Sequence, residues 1–158
     1  MIKSGEIQQK ARIMGVRDQQ IEKDYILSWI LFGISNHEQL SKAIVFKGGT
    51  VLKKAYFEDY RLSEDLDFTL LNNETENEQI IECFKEALEF IKEEANISLE
   101  IISDNEHKDG GINFYISYIG QLGGQGSNKR VKVDISRKEQ LVFEPVNKNI
   151  FTDYSDLE

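Results

Sequence analysis

Phe46-Lys47-Gly48-Gly49-Thr50 and, a short distance on, Arg61-Leu62-Ser63-Glu64-Asp65-Leu66-Asp67-Phe68 set the reading of this 158-residue chain. The first run begins in Ala43-Ile44-Val45-Phe46, read as a short buried strand, and opens a stretch from Thr50 to Phe57 read as a helix. Two glycines at such a junction let the backbone turn sharply and approach a ligand closely. The free N–H groups at the start of the following helix attract an anion such as a phosphate, and Thr50 adds a hydroxyl donor. Alone, this signal is weak: glycine pairs before helices are more often plain turns.

The second run opens a strand, Leu66 to Leu71, that Asn72-Asn73 ends. Residues two apart on a strand share a face, so Asp65 and Asp67 project together while Leu66 and Phe68 turn to the core. Neighbouring carboxylates repel each other. A hard divalent cation with oxygen ligands relieves that repulsion, and magnesium bridging to phosphates fits best. An isolated Asp-x-Asp is more often just the exposed start of a strand.

A third piece, Val131-Lys132-Val133-Asp134-Ile135, places one acid in an otherwise apolar strand. If this strand lies beside the Asp65/Asp67 strand, Asp134 joins them. A buried unpaired carboxylate is costly, so a cation or basic neighbour is expected. The competing reading is an edge strand with Asp134 facing water. Together the pieces make chemical sense: two carboxylates hold the metal that bridges a triphosphate, and the third holds a second metal or accepts a proton. An acceptor hydroxyl then attacks the α-phosphate in line, while the glycine turn grips the outgoing phosphates. Order, spacing and predicted elements agree, and that agreement is more specific than any single piece.

Around these motifs the pattern predicts helices over Glu6 to Met14, ended by Gly15, and over Asp18 to Phe32, with Asp18 as N-cap. Ile21, Tyr25, Ser28/Trp29 and Phe32 form the buried face of the second. Glu76 to Ala95 reads as an amphipathic helix with Ile80, Phe84, Leu88 and Ile91 on its core stripe. Strands are predicted over Ile97 to Ile102, Ile112 to Ile119 and Arg130 to Ile135, the last two joined by a glycine-rich loop, Gly120 to Ser127. That loop has no helix after it and reads as a hairpin connection. The fold class that follows is α+β, one mixed sheet flanked by helices. Residues 1–158 read as one domain, with a helical N-terminal segment over about 1–40.

Composition excludes several classes. No apolar run reaches membrane-spanning length, and the N-terminus lacks a secretory segment. The single cysteine, Cys83, can form no internal disulfide, which predicts a reducing cytoplasm. Cys83 reads as inert packing, and His37 and His107 have no partners at zinc spacing. The net charge of −9 is carried entirely by the stretch from Glu74 to Glu106, with eleven acids and two lysines. Lys47, Lys53, Lys54, Arg61, Lys129, Arg130, Lys132, Arg137 and Lys138 lie on either side of it. A field favourable to phosphates is compatible with that placement, as is a set of scattered solvated lysines.

At Phe46 to Thr50, Arg61, Ser63, Asp65, Asp67 and Phe68 the sequence resembles the nucleotidyltransferase superfamily that includes DNA polymerase β, and most closely the AbiEii/AbiGii-type toxins. The family's early lysine-aspartate pair is matched by Lys23-Asp24-Tyr25, and its lysine-x-aspartate strand by Lys132 and Asp134. The resemblance implies a nucleotidyltransferase-like fold. It also implies transfer of a nucleoside monophosphate from an NTP to an acceptor hydroxyl, with tRNA 3′ ends a known acceptor class and a cognate antitoxin as partner. It casts Asp65, Asp67 and Asp134 as metal-binding and catalytic, and Lys47, Gly48, Gly49, Thr50, Arg61, Ser63 and Lys132 as nucleotide-binding. Members usually continue into a C-terminal helical region with a further lysine and an arginine-aspartate motif, which this chain, ending at Glu158, does not contain.

Individual residues keep plainer alternatives. Lys23 reaches phosphates or pairs with Glu22 or Asp24. Arg61 clamps a phosphate or pairs with Glu58 or Asp59, and Ser63 hydrogen-bonds the local backbone to orient Asp65. For the whole chain the competing readings are a non-catalytic nucleotide- or antitoxin-binding module and, more distantly, a glycosyltransferase that uses Asp-x-Asp to hold a metal and a nucleotide-sugar.

Overall fold

A computed structural model describes residues 1–124, 126, 129–137 and 139–157. Ser127 of the predicted hairpin loop, Lys138 and Glu158 lie outside the described residues. The elements run α1 (Ser4–Met14), α2 (Asp18–Asn36), α3 (Glu38–Ala43), β1 (Ile44–Lys47), α4 (Gly49–Val51) continuing as a π-helical turn (Leu52–Tyr56), β2 (Asp65–Leu70), α5 (Asn77–Ala95), β3 (Ser98–Glu106), β4 (Ile112–Ile119) and β5 (Arg130–Ser136). One five-stranded sheet has the order β1-β2-β5-β4-β3. β2 and β5 are parallel neighbours, and the other pairs are antiparallel. The sheet is therefore mixed, as expected of an α+β domain. Among the described residues, no helix is long and apolar enough to cross a membrane.

Strand alternation gives the sheet two unlike faces. Ile44, Leu66, Phe68, Leu70, Ile112, Phe114, Ile116, Val131, Val133 and Ile135 are buried on one face, in a single core with α2 and α5. Phe84 of α5 meets Phe114 edge-on, with ring centres 5.0 Å apart. α5 buries the predicted stripe, Ile80, Phe84, Leu88 and Ile91, and leaves its glutamates in water. α2 comes so close to α5 that a Cβ on Gly33 would lie 2.6 Å from Ile91 Cδ1.

Three expectations need correction. α2 begins one residue past its cap: Arg17 is the N-cap, its N–H held by Gln20 Oε1 at 3.1 Å, and Asp18 sits in the first turn. α2 is also buried on nearly every side rather than on one stripe, because α1, α5 and the C-terminal Tyr154 all pack on it, and Phe32 is left partly exposed. The predicted helix from Thr50 to Phe57 is only one short turn that widens into a π-helical one. That widened turn carries Lys54 inward, where it ion-pairs with Asp24 at 2.8 Å and donates to Ser28 Oγ at 2.7 Å. Tyr154 donates to the same Asp24 carboxylate at 2.7 Å.

Candidate active site

The face opposite the core carries the polar side chains, from the buried Thr69 through the half-buried Asp67 and Asp134 to the exposed Asp65. Register fixes their rows. Lys47 stands opposite Asp67, Asp67 opposite Asp134, and Asp134 opposite Asn113. In the next row Asp65 stands opposite Lys132, and Lys132 opposite Tyr115. The parallel pairing of β2 and β5 thus brings together residues nearly seventy positions apart, and β5 is an interior strand, not an edge. Asp134 sits half-buried there.

The carboxylates feel one another. Partial burial raises the Asp67 pKa above the usual carboxylate value, and the charges of Asp134 and Asp65 raise it further, while Lys47 and Lys132 oppose the shift. Such an environment favours a cation between the acids. Among the described residues, no three acid, histidine or cysteine side chains converge closely enough to hold a metal ion as they stand. The donor chemistry, three carboxylates on one face, fits a hard cation such as magnesium.

Gly48 shows why glycine occupies the turn. Its φ is +83°, and a Cβ there would lie 2.6 Å from Asp67 Oδ2. The turn is therefore packed directly against the Asp67 carboxylate. Gly49 is looser: its Cβ would meet only Ser63 Oγ, at 3.8 Å. Thr50 is buried, and its hydroxyl donates to the main-chain oxygen of Asp65. That bond ties the glycine turn to the start of β2, so the Thr50 hydroxyl is engaged within the protein.

Other predicted residues are placed less tightly. Lys47 donates to Ser136 Oγ at 3.0 Å and pairs with Glu139 at 2.6 Å. Arg61 and Ser63 lie in the loop before β2, Arg61 exposed and Ser63 half-buried. Among the described residues, Arg61 forms no ion pair with Glu58 or Asp59, and Ser63 makes no hydrogen bond that would orient Asp65. Lys23 turns to Glu64, 3.7 Å away beside Asp65, rather than to Glu22 or Asp24. Glu22 is instead fully buried and paired with Lys129.

Glu139 escaped the sequence reading. It pairs with Lys47 and also accepts a hydrogen bond from Thr69, so it closes one corner of the polar face. The Lys47 and Thr69 bonds hold its carboxyl below the usual range. It lies in a stretch with neither periodicity nor motif, ninety-two positions from Lys47, and nothing local marks it.

Residues 29–158 match the family model described as nucleotidyl transferase AbiEii toxin, type IV TA system. No curated protein matches the sequence. Seven solved chains do. One is JHP933 from Helicobacter pylori, 21% identical with a TM-score of 0.56, over 77% of this chain and 45% of that one. Another is a candidate nucleotidyltransferase from H. pylori, 17% identical with a TM-score of 0.57, over 90% of this chain and 57% of that one. At these identities the likeness is one of fold, and it bears out the expected nucleotidyltransferase-like architecture. The chain spans about half the length of these two structures.

Proposed function

Because the chain belongs to the AbiEii nucleotidyl transferase toxin family of type IV toxin–antitoxin systems, we propose that it transfers a nucleoside monophosphate from an NTP to an acceptor hydroxyl. The observation that carries this reading is the β2–β5 register, with Asp65 and Asp67 on the open face and Asp134 directly opposite Asp67, beside the Gly48-Gly49 turn. The backbone of that turn receives the outgoing phosphates. Lys47, Arg61, Ser63 and Lys132 supply donors around them, and Thr50 holds the turn to β2.

Asp65, Asp67 and Asp134 are the residues that hold magnesium, which when bound neutralises phosphate charge at the reacting centre. Asp134, on the strand next to the Asp65/Asp67 pair, is also placed to take the proton from the acceptor hydroxyl. In this reading the acceptor is a tRNA 3′ end, the partner a cognate antitoxin, and the setting the cytoplasm. The family description supports the toxin–antitoxin context. It gives no support to the glycosyltransferase alternative.

The test is a calorimetric titration of each NTP, with and without magnesium, against the protein and its Asp67→Asn variant. Binding is expected to need both the metal and Asp67. Equal binding by a folded Asp67→Asn protein would overturn the site.

One observation favours a second reading, a nucleotide- or antitoxin-binding module without catalysis: no three-ligand group stands assembled among the described residues. Transfer of label from an NTP to RNA excludes it.

A further inference from the structure

We propose that the open face of β4 and β5, centred on Tyr115 and Arg130, docks the acceptor: a single-stranded RNA end whose terminal base stacks on this pair. The proposal rests on the nucleotidyltransferase reading above and adds the place of the second substrate.

Displacement at phosphorus runs in line, so the attacking oxygen and the departing pyrophosphate lie on opposite sides of the α-phosphate. The glycine turn lies at the end of β1, on one side of the three carboxylates. An acceptor must then approach from the other side, over β5 and β4. Tyr115 stands in the row of Asp65 and Lys132, two strands across from Asp65. At ordinary interstrand spacing that is about 10 Å. It also lies two residues along β4 from Asn113, which faces Asp134.

The chemistry of this patch suits a single strand. The Arg130 guanidinium lies 4.8 Å from the centre of the Tyr115 ring, and Lys132 stands directly opposite Tyr115. An aromatic ring beside cations is how proteins hold unpaired nucleotides: bases stack on planar groups while the charges meet phosphates. Six of the eleven acids between Glu74 and Glu106 lie on α5, on the far side of the sheet, while Glu100 of β3 stands opposite Ser117 at the edge of the Arg130 row. Asn113 and Ser117 flank Tyr115 on the same face; the Asn113 amide nitrogen meets His107 Nε2 at 2.7 Å and Ser117 Oγ donates to the Glu100 carbonyl at 3.4 Å, so their oxygens are left to accept from ribose 2′-hydroxyls, which favours RNA over DNA.

The test is fluorescence anisotropy of a short 5′-labelled single-stranded RNA, titrated with the full chain, without NTP and at low salt. Tyr115→Ala is expected to weaken binding about tenfold, the scale of one lost base stack. Tyr115→Phe keeps the ring and is expected to bind as the wild type does. Arg130→Gln is expected to weaken binding and to flatten its salt dependence. A blunt duplex is expected to bind poorly. Circular dichroism of each variant checks folding.

No RNA binding by the folded wild type, equal binding by wild type and Tyr115→Ala, or tighter binding of the same sequence as DNA would each overturn the proposal. The magnesium–NTP titration reads the carboxylates separately. Absence of magnesium-dependent NTP binding by the wild type, or equal binding by Asp67→Asn, with RNA binding intact rejects the carboxylate site and leaves the RNA surface standing, whereas metal- and Asp67-dependent NTP binding without RNA binding rejects the surface alone.

Discussion

Gly48 and Asp67 face each other across the centre of the site, and each constrains the other. A side chain at Gly48 must adopt a backbone conformation that only glycine takes freely, and it collides with the Asp67 carboxylate. Gly48→Ala is expected to cost about 1–3 kcal/mol of stability, the usual scale of such backbone strain, and to weaken NTP binding by displacing Asp67. Gly49→Ala, with open space around its Cβ, is expected to cost less. Urea unfolding of the two variants measures the difference. Asp67 also carries a pH signature. Its folded pKa lies above the unfolded value, so between the two the folded state binds more protons, and stability falls as pH rises. Without metal, that decline across the upper carboxylate range is expected in the wild type and reduced in Asp67→Asn, which thermal melts over pH will read. Magnesium is expected to raise the melting temperature of the wild type above this range and not that of the variant.

At the scale of elements, the π-helical turn after the glycines is held from behind by α2. Lys54 is buried, and desolvation lowers its pKa while the Asp24 charge opposes the shift. Asp24 in turn accepts from Tyr154. Removing one member of a buried ion pair strands the other, so Asp24→Ala is expected to cost about 3–5 kcal/mol. The double variant Asp24→Ala/Lys54→Met is expected to cost less than the sum of the two single changes, because no charge is left unpaired. A double-mutant cycle by denaturant unfolding decides this. The lysine-aspartate pair on α2 thus splits its work: Lys23 turns toward Glu64 beside Asp65, and Asp24 braces the π-helical turn after the glycines from the core.

At the scale of the whole molecule, the segment after β5 has no regular structure yet is bound to the rest at several points. Phe151 donates its N–H to Lys54, Lys148 reaches the Ala55 carbonyl, and Tyr154 is buried edge-on to Tyr25. Its last part therefore packs on the core through Tyr154, with Ile150 and Leu157 against it, while Val142, Phe143 and Val146 stay exposed. Tyr154→Ala is expected to destabilise the protein by about 3–5 kcal/mol, as for other buried aromatic side chains. Tyr154→Phe, which keeps the ring and loses the hydroxyl's bonds to Asp24 and to the Ile21 carbonyl, is expected to cost about 1–2 kcal/mol. Equilibrium unfolding separates the two values.

The sequence by itself determined the elements whose signals are local. Period-two alternation placed β2, β4 and β5, the apolar stripe placed α5, and the glycine pair with Asp65 and Asp67 marked one side of the site. Those signals survive because a strand's faces and a helix's stripe depend only on neighbours in the chain. Tertiary structure alone decided that β5 runs parallel beside β2, which set Asp134 opposite Asp67 rather than at an edge. It decided that α2 is buried on nearly every side, that the helix after Gly49 widens, and that Glu139 meets Lys47. Each of these rests on contacts between residues far apart in the chain. Such contacts depend on how strands are ordered and layers packed, and no periodicity within a single segment encodes that order.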